Sequence, residues 1–487
     1  MTRSTPEAVR RAIPPALAPL LDAVLAEAER RDLGVHLVGG PVRDLLLGRE
    51  VRDVDLIVEP RDAASGTADE LARAAAPEGV AVVSYGRFGT VRLGTGEAAL
   101  DLATLRRETY ARPGALPVVE AGSLEDDLRR RDFSVNAIAL PMSTVARRGR
   151  AAVIDLAGGR EDLAARVLRV LHPQSFHDDP TRALRAARLA ARLGFRLARP
   201  SRSALRDAVS AGAFAGVSGD RFRREFEKLF DDARRGVDPA LALGLLAEWH
   251  VLAAVEPGLA LPVPAIAALR RLGRMAAEDP GPGARTRVWV AGLAVWLGEL
   301  DATSRRRALR RLTVRGETAQ RIAAFPKLRD RILRSLARAR GRGAVDALLG
   351  PLEDEERLAL LACAPPTLRR RMSRWTLEDR GRRPPISGAD LVAAGLAGPA
   401  VGAALARVRL AWLDGAVRTR EEALALAREV GARVATRTAA RGKRSRIARP
   451  KRKQAATEPS AFPDAEPSPI LPTPSRPKRV LRPERRT

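Results

Sequence analysis

The feature that most restricts the fold of this chain is a change of period near residue 160. Before it, "GVHLVGG", "DVDLIVE", "GTVRLG" and "AALDLATLR" are short apolar runs bounded by glycine-rich turns, which is how strands read. After it the strand signal fades. From Asp178 to about residue 380, Leu, Ala and Arg recur at helical spacing, broken at Gly and Pro. The expected class is α+β: a small mixed sheet with helices, followed by an all-α region. Aromatic residues make up only 3% of the 487, so the helical core must be Leu, Ala and Val packed helix on helix. The most apolar stretch, "VWVAGLAVWLG" from Val288, is too short to cross a bilayer and reads as a buried helix.

Smaller signals set the boundaries. In "PVRDLLLG", Pro41 suits a first helical turn and Gly48 a helix end. "RGRRPPISGADL" interrupts the helices at Pro384 and Pro385, and Ser387 then caps a new one with Asp390 near its N3 position. Thr419 and Glu422 form a second such cap. From about Thr436 the chain is rich in Pro, Ser, Lys and Arg without apolar period, and it reads as a disordered basic arm.

The formal charge is +28, with 86 Lys and Arg against 58 Asp and Glu. Such a field attracts polyanions, nucleic acid first and acidic membrane second. The single cysteine, Cys363, excludes an internal disulfide framework and a multi-Cys zinc site, and it fits a reducing cytoplasm. The four histidines show no close metal-ligand spacing, and the first twenty residues lack the pattern of a signal peptide.

Chemistry concentrates in "LVGGPVRDLLLGREVRDVDLIVE", residues 37–59. Alternation in a strand puts Asp53, Asp55 and Ile57 on one side, with the two carboxylates ~7 Å apart. Unpaired charges that close repel, and burying them is costly. A divalent cation reverses that cost, and Mg²⁺ takes one or two carboxylates and fills its shell with phosphate and water. Solvated aspartates at a strand end remain the plainer alternative. Upstream, Gly39 and Gly40 allow backbone N–H groups to approach a phosphate at a helix start. Downstream, "LDLAT" places Asp101 in another strand as a third carboxylate. In "DDPTRALRAARLAAR", Asp179 can be a helix cap before Pro180. At ~100° per residue, Arg182, Arg185, Arg188 and Arg192 fall within an arc of about 120°. Such a row without interleaved acids repels itself unless an anion or solvent compensates.

Four motifs occur in order: "GGPVRDLLLGREVRDVD", "LRRRDFSVNAIAL", "DDPTRALRAARLAARLGF" and "GDRFRREFEKLF". Together they resemble the bacterial class II tRNA nucleotidyltransferases, the CCA-adding enzymes, and their poly(A) polymerase relatives. "ISGADLVAAGLAGPAVGAAL" resembles the RNA-contacting C-terminal region of that family. The resemblance implies a nucleotidyltransferase head over 1–160, a helical neck with a nucleotide-selecting helix over 161–235 and a helical body over 236–380. It further implies a helical, RNA-contacting tail over 381–435, leaving 436–487 as the basic extension. It implies Asp53 and Asp55 as metal ligands, with Asp101 as the additional catalytic carboxylate and Mg²⁺, as two ions, for the cofactor. Gly39, Gly40 and Arg43 match the positions that bind the incoming nucleotide. Arg131 and Asp132 match its sugar and nucleotide contacts, with Asp132 suited to accept from a ribose 2′-hydroxyl. Asp179 and Arg182 match the pair that reads the base edge of C or A, and Arg185 and Arg188 match further nucleotide contacts.

The implied activity is template-independent addition of CMP, AMP or both to the 3′ end of tRNA, with CTP and ATP as substrates, in the cytoplasm. No membrane and no stable protein partner are expected. Addition of CC only or of A only, and polyadenylation, are the narrower alternatives, and a non-catalytic RNA-binding protein is the alternative of another class. "YGRFGTVRL" stands where the polymerase branch carries a basic "RRFR" element. "RRETYARPGALPVVEAGSLEDD" reads as a loop between Asp101 and Arg131. Two departures from the family pattern are visible: Asp178 where many relatives carry Glu, and Ser134 where Thr is usual.

Overall fold

The computed structural model describes residues 3–4, 9, 11–60, 67–85, 89–96, 98–109, 114, 117–143, 148, 151–278 and 286–447. The sheet strands are β1 (Gly34–Val38), β2 (Val54–Glu59), β3 (Val82–Tyr85), β4 (Thr90–Thr95) and β5 (Ala98–Thr104). A separate ribbon of β6 (Arg106–Thr109) and β7 (Val118–Ala121) follows, and β8 (Ile138–Pro141) and β9 (Ile154–Asp155) complete the sheet. The spatial order is β9-β8-β1-β2-β5-β4-β3, and every neighbouring pair is antiparallel except β2 with β5.

That one parallel pair positions the acids. Its register sets Val54 against Leu100, Asp55 against Asp101 and Leu56 against Leu102. Val54, Leu56, Leu100 and Leu102 are all buried. Their face is covered by α1 (Ala18–Arg30), which buries Leu20, Leu21, Val24 and Ala28. The opposite side belongs to Asp55, Asp101 and Ile57, and Ile57 packs in a small cluster with Val38, Leu105, Leu128 and Ala139. A slip of one residue would turn both carboxylates into the core, so burial of the leucines holds the acids in register.

Helix α2 (Gly40–Leu46) follows β1, with Pro41 in its first turn and Gly48 at φ +64 beyond its end, as its sequence expects. Helix α3 (Ala68–Ala75) lies on the crossover between β2 and β5, started by a capping box of Thr67 and Glu70 and burying Leu71, Ala72 and Ala75. Helix α4 (Leu124–Arg129) follows β7 and opens with a second box, Ser123 with Asp126.

Beyond residue 160 the described residues are helical apart from turns and short bridges such as Val167–Leu168 with Arg196–Leu197. Helix α5 (Thr181–Leu193) packs on α6 (Gly219–Asp231), and α6 on α7 (Val288–Gly298). Helix α7 is the apolar stretch singled out above, and it is buried nearly all round. Trp296 meets Phe226 with ring centroids 5.3 Å apart at 46°, and its indole N–H donates to the Ala260 carbonyl at 2.8 Å. Gly292 lets α7 approach α6, because a Cβ there would overlap the Phe230 ring. We expect Gly292→Val to cost about 3 kcal/mol by overpacking, read as a lower urea midpoint at unchanged slope.

Helix α8 (Gly316–Arg338) runs through Pro326, where the sequence reading puts a break. Proline removes one helical hydrogen bond. Burial of Ile322 and Phe325 before it, and of Ile332 and Leu336 after it, holds both halves in one element.

The chain divides into two units, Met1–Pro385 with Val408–Thr419, and Ile386–Arg407 with the chain from Arg420. In the second, Ser387 and Asp390 form the expected capping box, and Asp390 also pairs with Arg420 at 2.6 Å. Helix α9 (Arg420–Ile447) begins directly after Thr419 and carries past residue 436, where the sequence reading starts the arm. Residues 448–487 of that arm lie outside the described residues. Among the described residues, no helix is long and apolar enough to cross a membrane.

Candidate active site

A cleft of about 450 Å³ opens at the end of the sheet, beside the start of α5. Gly39, Gly40, Asp55, Arg131, Asp132, Asp179, Arg182 and Arg185 all line it. Arg43, Asp53, Asp101 and Arg188, expected with them, do not.

At the sheet end, Asp55 is partly buried within β2, whereas Asp53 precedes the strand on an exposed lead-in. The two aspartates are therefore not strand-mates as the alternation implies, although each lies within reach of the other's charge. Burial pushes the Asp55 carboxyl up to about 6; Arg131 and Arg92 oppose this, while Asp101 and Asp53 add to it. Asp101 is also raised, first by burial and then by Asp53, against the pull of Arg92. Arg92, set opposite Asp101 by the β4–β5 register, approaches it at only 3.4 Å, and Arg235 stands 3.9 Å from Asp53. Neither contact is a close ion pair, so the charge of the carboxylates is only partly offset.

These residues fit a divalent cation. Asp55 makes no side-chain hydrogen bond among the described residues, and its hard oxygens face a polar cleft. No three His, Cys, Asp or Glu side chains form a ready cluster among the described residues. Mg²⁺ asks for less, since one or two carboxylates suffice when phosphate and water complete the shell.

The glycine turn forms the next wall. Gly39 has φ +76, and a Cβ there would stand 2.7 Å from Arg131 Nη1. Helix α2 spans only 7 residues, so backbone approach and Arg131 matter more here than a helix dipole. Arg131 donates to Asp127 at 3.0 Å, and its buried Nε has no partner. Gly39→Ala should raise the KM for nucleotide about tenfold through displaced Arg131 and cost 1–3 kcal/mol of strain, roughly. Steady-state kinetics beside thermal unfolding separates the two effects.

Arg43 is buried and committed elsewhere: it donates to Asp44 at 2.9 Å and to Asn136 Oδ1 at 2.7 Å. Asn136 in turn donates to Asp132 Oδ1 at 3.0 Å, so Arg43 braces the site from behind. Asp132 also accepts from the Phe133 N–H at 2.9 Å and pairs with Arg185 at 2.8 Å. Burial alone would raise its carboxyl, but Arg185, Asn136 and Arg182 hold it below the usual range. Room for one further bond, such as from a ribose hydroxyl, remains among its four acceptor positions. Ser134 keeps the role of a hydroxyl, donating to buried Asp162 at 2.6 Å.

The arginine row of α5 is not left to an anion or to solvent, as its sequence suggested. Acids from distant segments meet it: Arg185 pairs with Asp132, Arg188 with Glu225 and Asp232 at 2.9 Å, and Arg192 with Asp44 at 2.8 Å. Arg188 thus lies in a smaller adjoining hollow of about 160 Å³. Glu225 also accepts from Lys228, one helical turn on, at 3.2 Å. Arg182 is 3% exposed and donates to Ser175 and to the Arg130 carbonyl at 2.9 Å. Three of its five donors are thereby engaged and the rest are available to the cleft. Helix α5 starts one residue later than its sequence suggests, with Pro180 rather than Asp179 in the cap position, but Asp179 Oδ1 still accepts from the Thr181 N–H of its first turn at 3.0 Å. Asp179 also lines the cleft.

Sequence reasoning missed Arg106, Glu108, Pro117 and Arg130 as cleft residues. The stretch after Asp101, read as a loop, is an antiparallel ribbon pairing Arg106 with Ala121 and Thr109 with Val118. Glu108 accepts from Arg106 at 3.2 Å and from Arg130 at 2.9 Å. The alternation in "RRET" and "VVEA" was the available signal, outweighed by Pro113, Gly114 and Pro117.

Residues 35–169 match the family described as Poly A polymerase head domain. Over 408 residues, or 81% of this chain, it is 30% identical to 45% of the length of the A-adding tRNA nucleotidyltransferase of Geobacter sulfurreducens. Over 182 residues, 36% of this chain, it is 43% identical to 46% of the CC-adding tRNA nucleotidyltransferase of Deinococcus radiodurans. The chain spans about half the length, or less, of the curated relatives it matches. Among solved structures, the Thermotoga maritima CCA-adding enzyme complexed with tRNA superposes with TM-score 0.62 at 26% identity, over 89% of this chain and 100% of that one. The head, the ordered motifs and the helical region are thus each similar to those of the bacterial class II tRNA nucleotidyltransferases and poly(A) polymerases.

Proposed function

We propose that this chain adds CMP, AMP or both to the 3′ end of tRNA, taking them from CTP and ATP without a nucleic-acid template, in the cytoplasm. The observation that carries the reading is one cleft lined both by the Asp55 carboxylate and by the Asp179–Arg182 pair. The first suits a metal-bound triphosphate. The second offers an acceptor and a donor, as a complementary base would.

Asp53 and Asp55 would hold Mg²⁺, with Asp101 adding negative field beside them. The cation supplies charge neutralisation of the triphosphate and a lowered pKa for the attacking RNA 3′-hydroxyl. Gly39 and Gly40 admit the phosphates close to the backbone, and Arg131 offers them positive charge. Asp132 accepts from the ribose, and Arg185 stays ordered by its pairing with Asp132. Arg43 and Arg188, bound to acids, shape the wall without touching the nucleotide. Asp179 and Arg182 take the base edge. Pyrophosphate leaves toward the open side of the cleft.

A second reading, addition of A alone, draws on the Geobacter sulfurreducens relative being an A-adding enzyme. One experiment tests both. Purified protein with Mg²⁺ is given tRNA transcripts ending before CCA, after the first C and after both Cs, each with CTP or ATP. Extension of the first two by C and the last by A supports full CCA addition, and extension of the last alone supports the second reading. Long A tracts, or no extension of any transcript, would overturn both.

A further inference from the structure

We propose that Arg221 is a positioning residue that sets nucleotide discrimination, by holding Asp179 and tying it to Gly114, which lies between β6 and β7 in the chain. The inference rests on Asp179 and Arg182 reading the base.

Arg221 stands in the first turn of α6 and lines the cleft. Its guanidinium is shared between two acceptors. Nη2 donates to Asp179 Oδ1 at 2.6 Å, and Nη1 donates to the Gly114 carbonyl at 2.9 Å. Gly114 is itself pinned: its N–H donates to the carbonyls of Asp178 and His177 at 3.2 and 3.3 Å. It has φ +69, and a Cβ would stand 2.9 Å from the Val217 side chain, so glycine is required there. Arg221 therefore clamps Gly114 and the base-reading carboxylate to one helix.

The clamp also settles which oxygen is free. Oδ1 of Asp179 accepts from Thr181 N–H, Thr181 Oγ1 and Arg221. With three donors on Oδ1, Oδ2 is the oxygen left for a base. Arg182 is supported quite differently, by Ser175 and by the Arg130 carbonyl. The acceptor and the donor of the pair thus have separate supports. Cytosine and adenine each present an amino donor beside a ring-nitrogen acceptor on the pairing edge, so chemistry alone does not tell them apart. Their edges lie at different distances from the ribose. Discrimination then depends on where Asp179 stands relative to Arg182, which Arg221 controls.

The test compares Arg221→Gln, Arg221→Lys, Asp179→Asn and the Arg221→Gln/Asp179→Asn double variant of the full chain. Each receives the tRNA transcript that the wild type extends best, with CTP, ATP, UTP and GTP singly. The readout is the ratio of kcat/KM for the preferred nucleotide to that for the others, beside thermal unfolding and tRNA filter binding. Arg221→Gln should lower the ratio about tenfold or more, mainly through KM. Its unfolding midpoint and tRNA affinity should stay near wild type. Arg221→Lys, which keeps the charge but reaches one acceptor, should recover part of the ratio, and it carries the test if Arg221→Gln does not fold. The double variant should be no less selective than Asp179→Asn alone. Wild-type discrimination in Arg221→Gln, or additive losses in the double variant, would overturn the proposal while leaving the base-reading assignment standing. Wild-type discrimination in Asp179→Asn would instead overturn that assignment and this inference with it.

Discussion

Asp53→Ala combined with Asp55→Ala abolishes nucleotide addition to every transcript, a loss of at least about 10³-fold, while tRNA binding changes little. The size follows from where the charge sits. Asp55 lies at the cleft end of β2, with Asp101 beside it across the parallel pair and Asp53 on the lead-in. Among the described residues no cation pairs closely with any of the three; the contacts are Arg92 to Asp101 at 3.4 Å and Arg235 to Asp53 at 3.9 Å. Electrostatic stabilisation of a phosphoryl transfer is commonly the largest single contribution to its rate, and under the proposed function these side chains anchor it. Removing like charges relieves repulsion, so the variant should fold at least as well as the wild type. Single-turnover extension, filter binding and urea unfolding read the three quantities separately. Retained extension in a well-folded double variant would refute the assignment of the metal site.

Asp132→Ala should be the most destabilising exchange in the cleft, at about 3 kcal/mol. The carboxylate is 6% exposed and accepts from Phe133 N–H and Asn136 while pairing with Arg185. Its loss leaves an orphan backbone donor, frees the Asn136 amide that steadies Arg43, and uncouples Arg185. Arg185 is partly exposed, so water recovers some of its charge solvation, which places the estimate at the low end for a broken buried pair. The pH dependence has a definite sign. The folded-state carboxyl is depressed, so its contribution is complete above the unfolded value of about 4 and lost as pH falls through the lower folded value. The difference between wild type and variant should be constant near neutrality and shrink below about pH 4 in urea titrations. A difference that instead grew in acid would contradict the pairing described here.

Much of the fold was legible because the signals are local. The β1 and β2 runs, the Gly39–Gly40 turn, the cap at Ser387, and the buried α7 each follow from composition and period over a dozen residues or fewer. Three features escaped that reading. The β6–β7 ribbon is short, and its turn residues masked its alternation. Helix α8 survives Pro326 because packing on both sides outweighs one lost hydrogen bond. The acids that neutralise the α5 arginines come from Asp44, Asp132, Glu225 and Asp232, none of them close in the chain.

The sequence by itself determined which residue types carry the chemistry: the acidic strand, the glycine turn, and a helix that starts with Asp and presents Arg. These are properties of neighbours, and period and turn preferences report on neighbours. Tertiary structure alone decided which of those side chains are free to act. Arg43 and Arg188 are committed to acids, Asp55 makes no side-chain hydrogen bond among the described residues, and Arg221 reaches Asp179 from another helix. Charge and hydrogen-bond capacity are settled by whatever stands within about 3 Å, and in a packed chain that neighbour usually comes from a distant segment.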